Sequence, residues 1–95
     1  MREAYVYMLA SKRYGTLYIG VTSDLVSRIW EHKSGTAEGF ATRYAVNRLV
    51  SYEEHGSIED AIEREKNMKR WRRDWKIALI SRTNPAWRDL YKDII

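Results

Sequence analysis

Glu65 places a carboxylate where a helix would otherwise be apolar. In the run Ser57-Ile-Glu-Asp-Ala-Ile-Glu-Arg-Glu-Lys-Asn-Met-Lys-Arg70, Ile58, Ala61, Ile62 and Met68 fall on one stripe at about 100° per residue, and Glu65 falls near its middle. The other charges of the run lie outside that stripe. A carboxylate on the core side of a helix is costly unless a hydrogen bond, a cation or a metal meets it, so the position points to a site.

Two other groupings have chemistry to offer. Tyr5-Val-Tyr-Met-Leu-Ala10 and Leu17-Tyr-Ile-Gly-Val-Thr22 read as strands joined by the turn-like Ser11-Lys-Arg-Tyr-Gly-Thr16. If they pair antiparallel with opposed residue numbers summing to an odd value, Tyr7, Tyr18 and Gly20 share one face. Two phenols then converge beside a position that lets another group approach the backbone. Ordinary strand tyrosines with Gly20 at a bulge would give the same pattern. Arg28 and His32 stack one turn apart on the next helix, beside Leu25 and Ile29. A guanidinium that clamps phosphate oxygens next to an imidazole that relays a proton suits phosphate chemistry. A snorkelling arginine and a satisfied core histidine would show the same spacing.

The elements that must position these groups can be read from the pattern. The first segment is apolar on both faces, like a central strand. A helix follows from about Asp24 to Lys33, with Thr22 or Ser23 as cap and Gly35 as stop, and Ser34 to Arg43 reads as loop. Asn47 to Glu53 is a third strand, and Ser57 with Asp60 resembles a capping box opening the Glu65 helix. Trp71 to Ser81 supplies a further helix, and Asn84-Pro85 an N-cap and first-turn proline for a short terminal helix through Trp87, Leu90 and Tyr91. The order is ββαβααα. It implies an α/β fold with a small three-stranded, mostly antiparallel sheet flanked by helices.

Composition narrows the function. The 95 residues, 1–95, suit one domain with one modest core. There is no cysteine, hence no disulfide framework and no thiolate metal site. No apolar run reaches membrane-span length and Met1-Arg2-Glu3 leads into a strand-like segment, so the expected setting is cytoplasmic, with no membrane partner. Seventeen Lys and Arg against thirteen Asp and Glu give a net charge of +4, which favours polyanionic partners.

Tyr5-Val-Tyr7, ten intervening residues and Tyr18-Ile-Gly20 resemble the two half-motifs that name the GIY-YIG endonuclease superfamily. The second half matches outright; the first has Tyr5 for Gly and Val6 for Ile. Arg28 matches the family's helix arginine, His32 the polar or aromatic residue a turn later, and Glu65 the metal-binding glutamate of a Glu-x-x-aliphatic-Lys helix. Phe40-Ala-Thr-Arg-Tyr44 and Asn84-Pro-x-Trp-x-Asp-Leu90 extend the likeness to the small stand-alone bacterial members, similar to the N-terminal domain of the bacterial excision-repair nuclease.

The resemblance implies a metal-dependent endonuclease acting on DNA or a related structured nucleic acid, in repair or recombination. Glu65 would hold one Mg²⁺ or Mn²⁺, Arg28 would neutralise charge on the phosphoryl oxygens, and Tyr7 or Tyr18 would orient or deprotonate the attacking water with His32 relaying its proton. A phenol is a poor base at pH 7, so a nearby cation or histidine is required. Gly20 would admit the phosphate, and Thr42 and Arg43 would line the cleft unless they belong to a plain polar loop. Lys69 and Arg73, in a segment that interleaves cations with indoles, would contact the polynucleotide, although Trp71 and Trp75 at helical spacing suit the core equally. Asn84 either assists the site or is simply a cap. The rival reading is a nucleic-acid-binding module with a weak or vestigial nuclease site. The retained set Tyr7, Tyr18, Arg28, His32 and Glu65 argues against it.

Overall fold

Strand β1 (Ala4–Ala10) is the centre of the fold because neither of its faces is polar. Ala4, Val6, Met8 and Ala10 enter one core cluster, and Tyr7 and Leu9 the other. The structure, a computed structural model, describes residues 3–95; the expectation about how Met1 and Arg2 lead into the chain lies outside the described residues. β2 (Leu17–Thr22) and β3 (Arg48–His55) flank β1 in the order β2-β1-β3, both antiparallel to it. The β1/β2 register opposes Tyr7 to Gly20 and Leu9 to Tyr18, the odd-sum pairing, so Tyr7, Tyr18 and Gly20 do share a face.

Among the described residues five helices cover this sheet. α3 (Ile58–Lys69) and α4 (Arg73–Thr83) pack on the Val6/Met8 face through Ala61, Met68, Leu79 and Ile80. α1 (Leu25–Ser34) and α2 (Phe40–Arg43) pack on the Tyr7/Leu9 face through Leu25, Ile29 and Ala41, joined there by the C-terminal α5 (Tyr91–Ile94). Among the described residues no helix is long and apolar enough to cross a membrane.

Local chemistry sets the boundaries and corrects several expectations. The α1 cap is Asp24, whose Oδ1 accepts the Ser27 N–H at 3.2 Å, not Thr22 or Ser23; Thr22 instead uses its hydroxyl to hold the Asp24 N–H at 3.0 Å. Gly35 stops α1 as expected, at φ 81°. The expected loop from Ser34 to Arg43 contains α2, so the order is ββααβααα. Ser57 caps α3 by accepting the Asp60 N–H at 3.1 Å. The Trp71 helix begins only at Arg73, which leaves Trp71 in the joint between α3 and α4 and Trp75 half exposed rather than in the core.

Asn84 does not open a helix. It closes α4, its N–H bonding Ile80 O at 2.7 Å. Its side chain then fixes an irregularity in the sheet. The β1/β3 register slips between Met8 and Leu9, and Val50 is the residue left over. The Asn84 amide donates to the Val50 carbonyl at 3.1 Å and to Arg88 O at 2.9 Å, and its oxygen accepts the Arg88 N–H at 3.1 Å. The chain turns back through a fully buried Trp87 at φ 54°.

Asp89 ties the same tail to the sheet. Its Oδ1 accepts the N–H groups of Leu49 (3.3 Å) and Tyr91 (3.1 Å), and its Oδ2 pairs with Lys33, whose ammonium also reaches Asn47 O at 3.0 Å. Burial pushes the Asp89 carboxyl up, but Lys33 and the two N–H donors outweigh it and hold the group below its usual value. The folded state therefore binds this proton less tightly than the unfolded chain. Its stabilisation is present above the unfolded pKa of about 4 and is lost as pH falls through the folded value. Asp89→Ala should lower unfolding free energy at pH 7 by roughly 1–2 kcal/mol, because the Leu49 N–H in a buried strand loses its acceptor. Urea unfolding at pH 7 and pH 3 checks both statements; a variant as stable as the parent at pH 7 would remove the strap from the account.

Candidate active site

Four of the expected residues meet on the α1 face of the sheet. Tyr7 is fully buried at the middle of β1, and its hydroxyl lies 3.0 Å from Nε2 of His32, itself only 3% exposed. The Tyr18 ring, at the β2 edge, completes a triangle of rings with centroids 6.4 Å from Tyr7 and 5.6 Å from His32. Arg28, one turn before His32, donates to Oε1 of Glu31 at 2.9 Å, and its positive charge acts on the Tyr7 phenol. Gly20 makes the cluster possible: a Cβ there would fall 2.4 Å from both Cζ and the hydroxyl of Tyr7. The group that approaches this backbone closely is thus the Tyr7 ring itself.

The Tyr7 hydroxyl serves as donor to Nε2 when the His32 proton sits on Nδ1. Nδ1 is buried and has no partner among the described residues. The opposite tautomer would strand both the Tyr7 proton and the Nδ1 lone pair. Burial raises the Tyr7 pKa to about 12, with Arg28 opposing. Burial and then the Arg28 cation lower that of His32, with Glu31 opposing. Near pH 7 the pair is neutral, a poised donor and acceptor beside a fixed positive charge.

Glu65 occupies the inner side of α3 with Ala61 and Met68. Ile58 and Ile62, expected on the same stripe, are more than a third exposed, so the buried line is Ala61, Glu65, Met68 and the carboxylate is its centre. Its ion-pair partner is Lys69 at 2.6 Å; no hydrogen bond joins it to Tyr7 or His32. Among the described residues no group of three His, Cys, Asp or Glu side chains gathers as a metal site.

The remaining expected residues divide. Thr42 and Arg43 lie on α2, against the cluster through Ala41; the Thr42 hydroxyl is buried without a partner among the described residues and Arg43 is exposed. Lys69 pairs with Glu65 from a half-exposed position. Arg73 donates to the carbonyls of Tyr14 (2.7 Å) and Gly15 (2.8 Å) and so braces the hairpin turn, while Asn84 pins the bulge. Glu31 joins the cluster without having stood out in the sequence. The one signal for it is the i,i+3 spacing to Arg28.

Comparison with known proteins covers most of the molecule. The family model of the GIY-YIG catalytic domain matches residues 3–78, a span that contains the hairpin, α1 and α3 but stops short of Asn84. The UPF0213 protein SSP2268 of Staphylococcus saprophyticus is 31% identical over 81 residues, which cover 85% of this chain and 98% of that protein. The solution structure of the UPF0213 protein BH0048 from Bacillus halodurans is 30% identical, with a TM-score of 0.56 and 92% of each chain covered.

Proposed function

The chain belongs to the GIY-YIG family, a nuclease-type family, and from that premise we propose that it is a divalent-metal-dependent endonuclease hydrolysing phosphodiester bonds in DNA or structured nucleic acid. Residues 1–95 act as one nuclease domain, in the cytoplasm, with repair or recombination as the setting. The observation that carries this reading is the buried Tyr7 to His32 hydrogen bond of 3.0 Å beside the Arg28 cation. Such an arrangement has little structural purpose, since an aliphatic pair would fill the space without desolvating three polar groups.

In this reading Arg28 binds the scissile phosphate and meets the charge that grows on its non-bridging oxygens. Tyr7 or Tyr18 orients the attacking water; where Tyr7 does so, its own proton passes to Nε2 of His32 as the water's proton passes to the phenol oxygen. Glu65 would hold one Mg²⁺ or Mn²⁺, which supplies Lewis acidity toward the phosphate or the leaving oxygen. A lone inward-facing carboxylate fits a cation that keeps most of its waters. It does not fit Zn²⁺, which takes three or four protein ligands. Lys69, half exposed, is free to swing off the carboxylate.

A cleavage assay over nicked, branched, single-stranded and duplex DNA and over RNA, with and without Mg²⁺ or Mn²⁺, tests the reading. Arg28→Ala should lower kcat by about 10²–10³ while affecting affinity much less, because its contribution grows in the transition state. If that variant changes affinity alone, the protein is a binder. The rate should also fall on acidification only below about pH 6.5, since His32, with its pKa lowered, must be neutral to accept the proton. An acid limb centred above that value would remove His32 from the relay.

A further inference from the structure

The joint between α3 and α4 carries a surface that the catalytic cluster does not use. Trp75 is 52% exposed, with the Arg72 guanidinium 5.0 Å from its ring centroid and the Trp71 ring edge-on at 6.3 Å. Trp71, Trp75, Ala78, Leu79 and Arg82 line one open groove. α4 buries Leu79 and Ile80 against the sheet, whereas the Trp75 indole stays half in water. Its surroundings are cationic: the exposed Arg72 lies over the ring and the exposed Arg82 lines the groove, Arg72 also pairing with Asp74, and Lys69 and Arg70 are exposed at the end of α3 just before it in sequence. Lys69 also joins the patch to the Glu65 carboxylate one turn earlier on α3.

We propose that this groove is a polynucleotide-binding exosite, in which an unpaired base of the bound strand stacks on Trp75 while Arg72 and Arg82 hold the adjoining phosphates. The proposal deepens the nuclease reading above and rests on it for the identity of the ligand. Every base has a π-face, so a single exposed indole between cations binds a strand without reading its sequence. An acidic peptide would use the cations but would leave the aromatic plane without a purpose.

The test uses the full chain carrying Glu65→Gln, so that binding is measured without cleavage. Anisotropy of a fluorescein-labelled oligothymidylate should report a Kd about 5- to 150-fold weaker for Trp75→Ala, with Trp75→Phe retaining most of the affinity. Arg72→Ala combined with Arg82→Ala should flatten the slope of log Kd against log salt by about 1.4, the value for two single-strand phosphate contacts. With Glu65 restored, Trp75→Ala should raise KM by more than it lowers kcat. Unchanged oligothymidylate binding by Trp75→Ala would overturn the exosite. So would equal competition by poly-glutamate, or self-association that Trp75→Ala abolishes; these would make the patch an acidic-protein or a self-contact surface. A parent that cleaves nothing yet loses oligothymidylate through Trp75→Ala would keep the exosite and sink the nuclease assignment. A parent that cleaves while Trp75→Ala binds normally would do the reverse.

Discussion

Glu65→Gln should abolish metal-dependent cleavage and leave a folded protein. The amide matches the carboxylate in size, so packing beside Ala61 and Met68 is preserved, but a neutral amide cannot replace an anion as the sole protein ligand of a hard divalent cation. Cleavage should drop by orders of magnitude at every metal concentration. Stability should change by no more than about 1 kcal/mol, because Lys69, the partner released, is half exposed and regains water. A second readout does not depend on activity: Mg²⁺ or Mn²⁺ should raise the Tm of the parent by binding the native state alone, and should leave that of Glu65→Gln where it is. A folded Glu65→Gln protein that cleaves at the parent rate would remove the carboxylate from the mechanism.

That Glu65 can be singled out from sequence has a simple cause: a charge inside an apolar stripe is visible without coordinates. The true stripe is slightly rotated from the one the apolar residues suggest, since Ile58 and Ile62 are more than a third exposed while Ala61, Glu65 and Met68 are buried. Apolar identity alone does not say how wide the partner surface is. The sequence limits β1 and β2 to two register parities, of which only the odd-sum one puts Tyr7 beside Gly20; the structure has that one. What sequence does not carry is anything that depends on a third element. The bulge at Val50 has no mark in Leu49-Val50-Ser51, and without it Asn84 reads as an N-cap before proline instead of the amide that holds the Val50 carbonyl. Trp71 and Trp75 show core spacing, but the break before Arg73 resets the helical phase between them and leaves Trp75 in water. The hydrogen bonds of Arg73 to the Tyr14 and Gly15 carbonyls likewise depend on a hairpin turn that is remote in sequence.

Gly20→Ala should collapse cleavage and cost stability together, and a second substitution should undo the stability loss. From sequence, a larger residue at Gly20 looks favourable to the fold, because glycine weakens a strand and any β-branched side chain suits one better. The structure reverses that sign. The added Cβ would sit 2.4 Å from Cζ and the hydroxyl of Tyr7, and the ring has no alternative space, being fully buried between β1, β2 and α1. Something must shift, at a cost of roughly 1–3 kcal/mol, and what shifts is the hydroxyl that reaches His32 at 3.0 Å. Tyr7→Phe separates the two consequences. It keeps the ring and therefore the packing, losing about 1 kcal/mol for the hydrogen bond, yet it should depress cleavage as strongly as Gly20→Ala if the phenol is the proton-carrying group. Tyr7→Ala removes the obstacle itself. In a double-mutant cycle Gly20→Ala should therefore be nearly free of stability cost on the Tyr7→Ala background, and Gly20→Ala with Tyr7→Phe should remain clashed, since Cζ is still present. Thermal unfolding and single-turnover cleavage of all the variants provide the measurement. Strict additivity of Gly20→Ala and Tyr7→Ala would mean that the Tyr7 ring is not what the added methyl meets, and parent-rate cleavage by Tyr7→Phe would mean that the proton route runs through Tyr18.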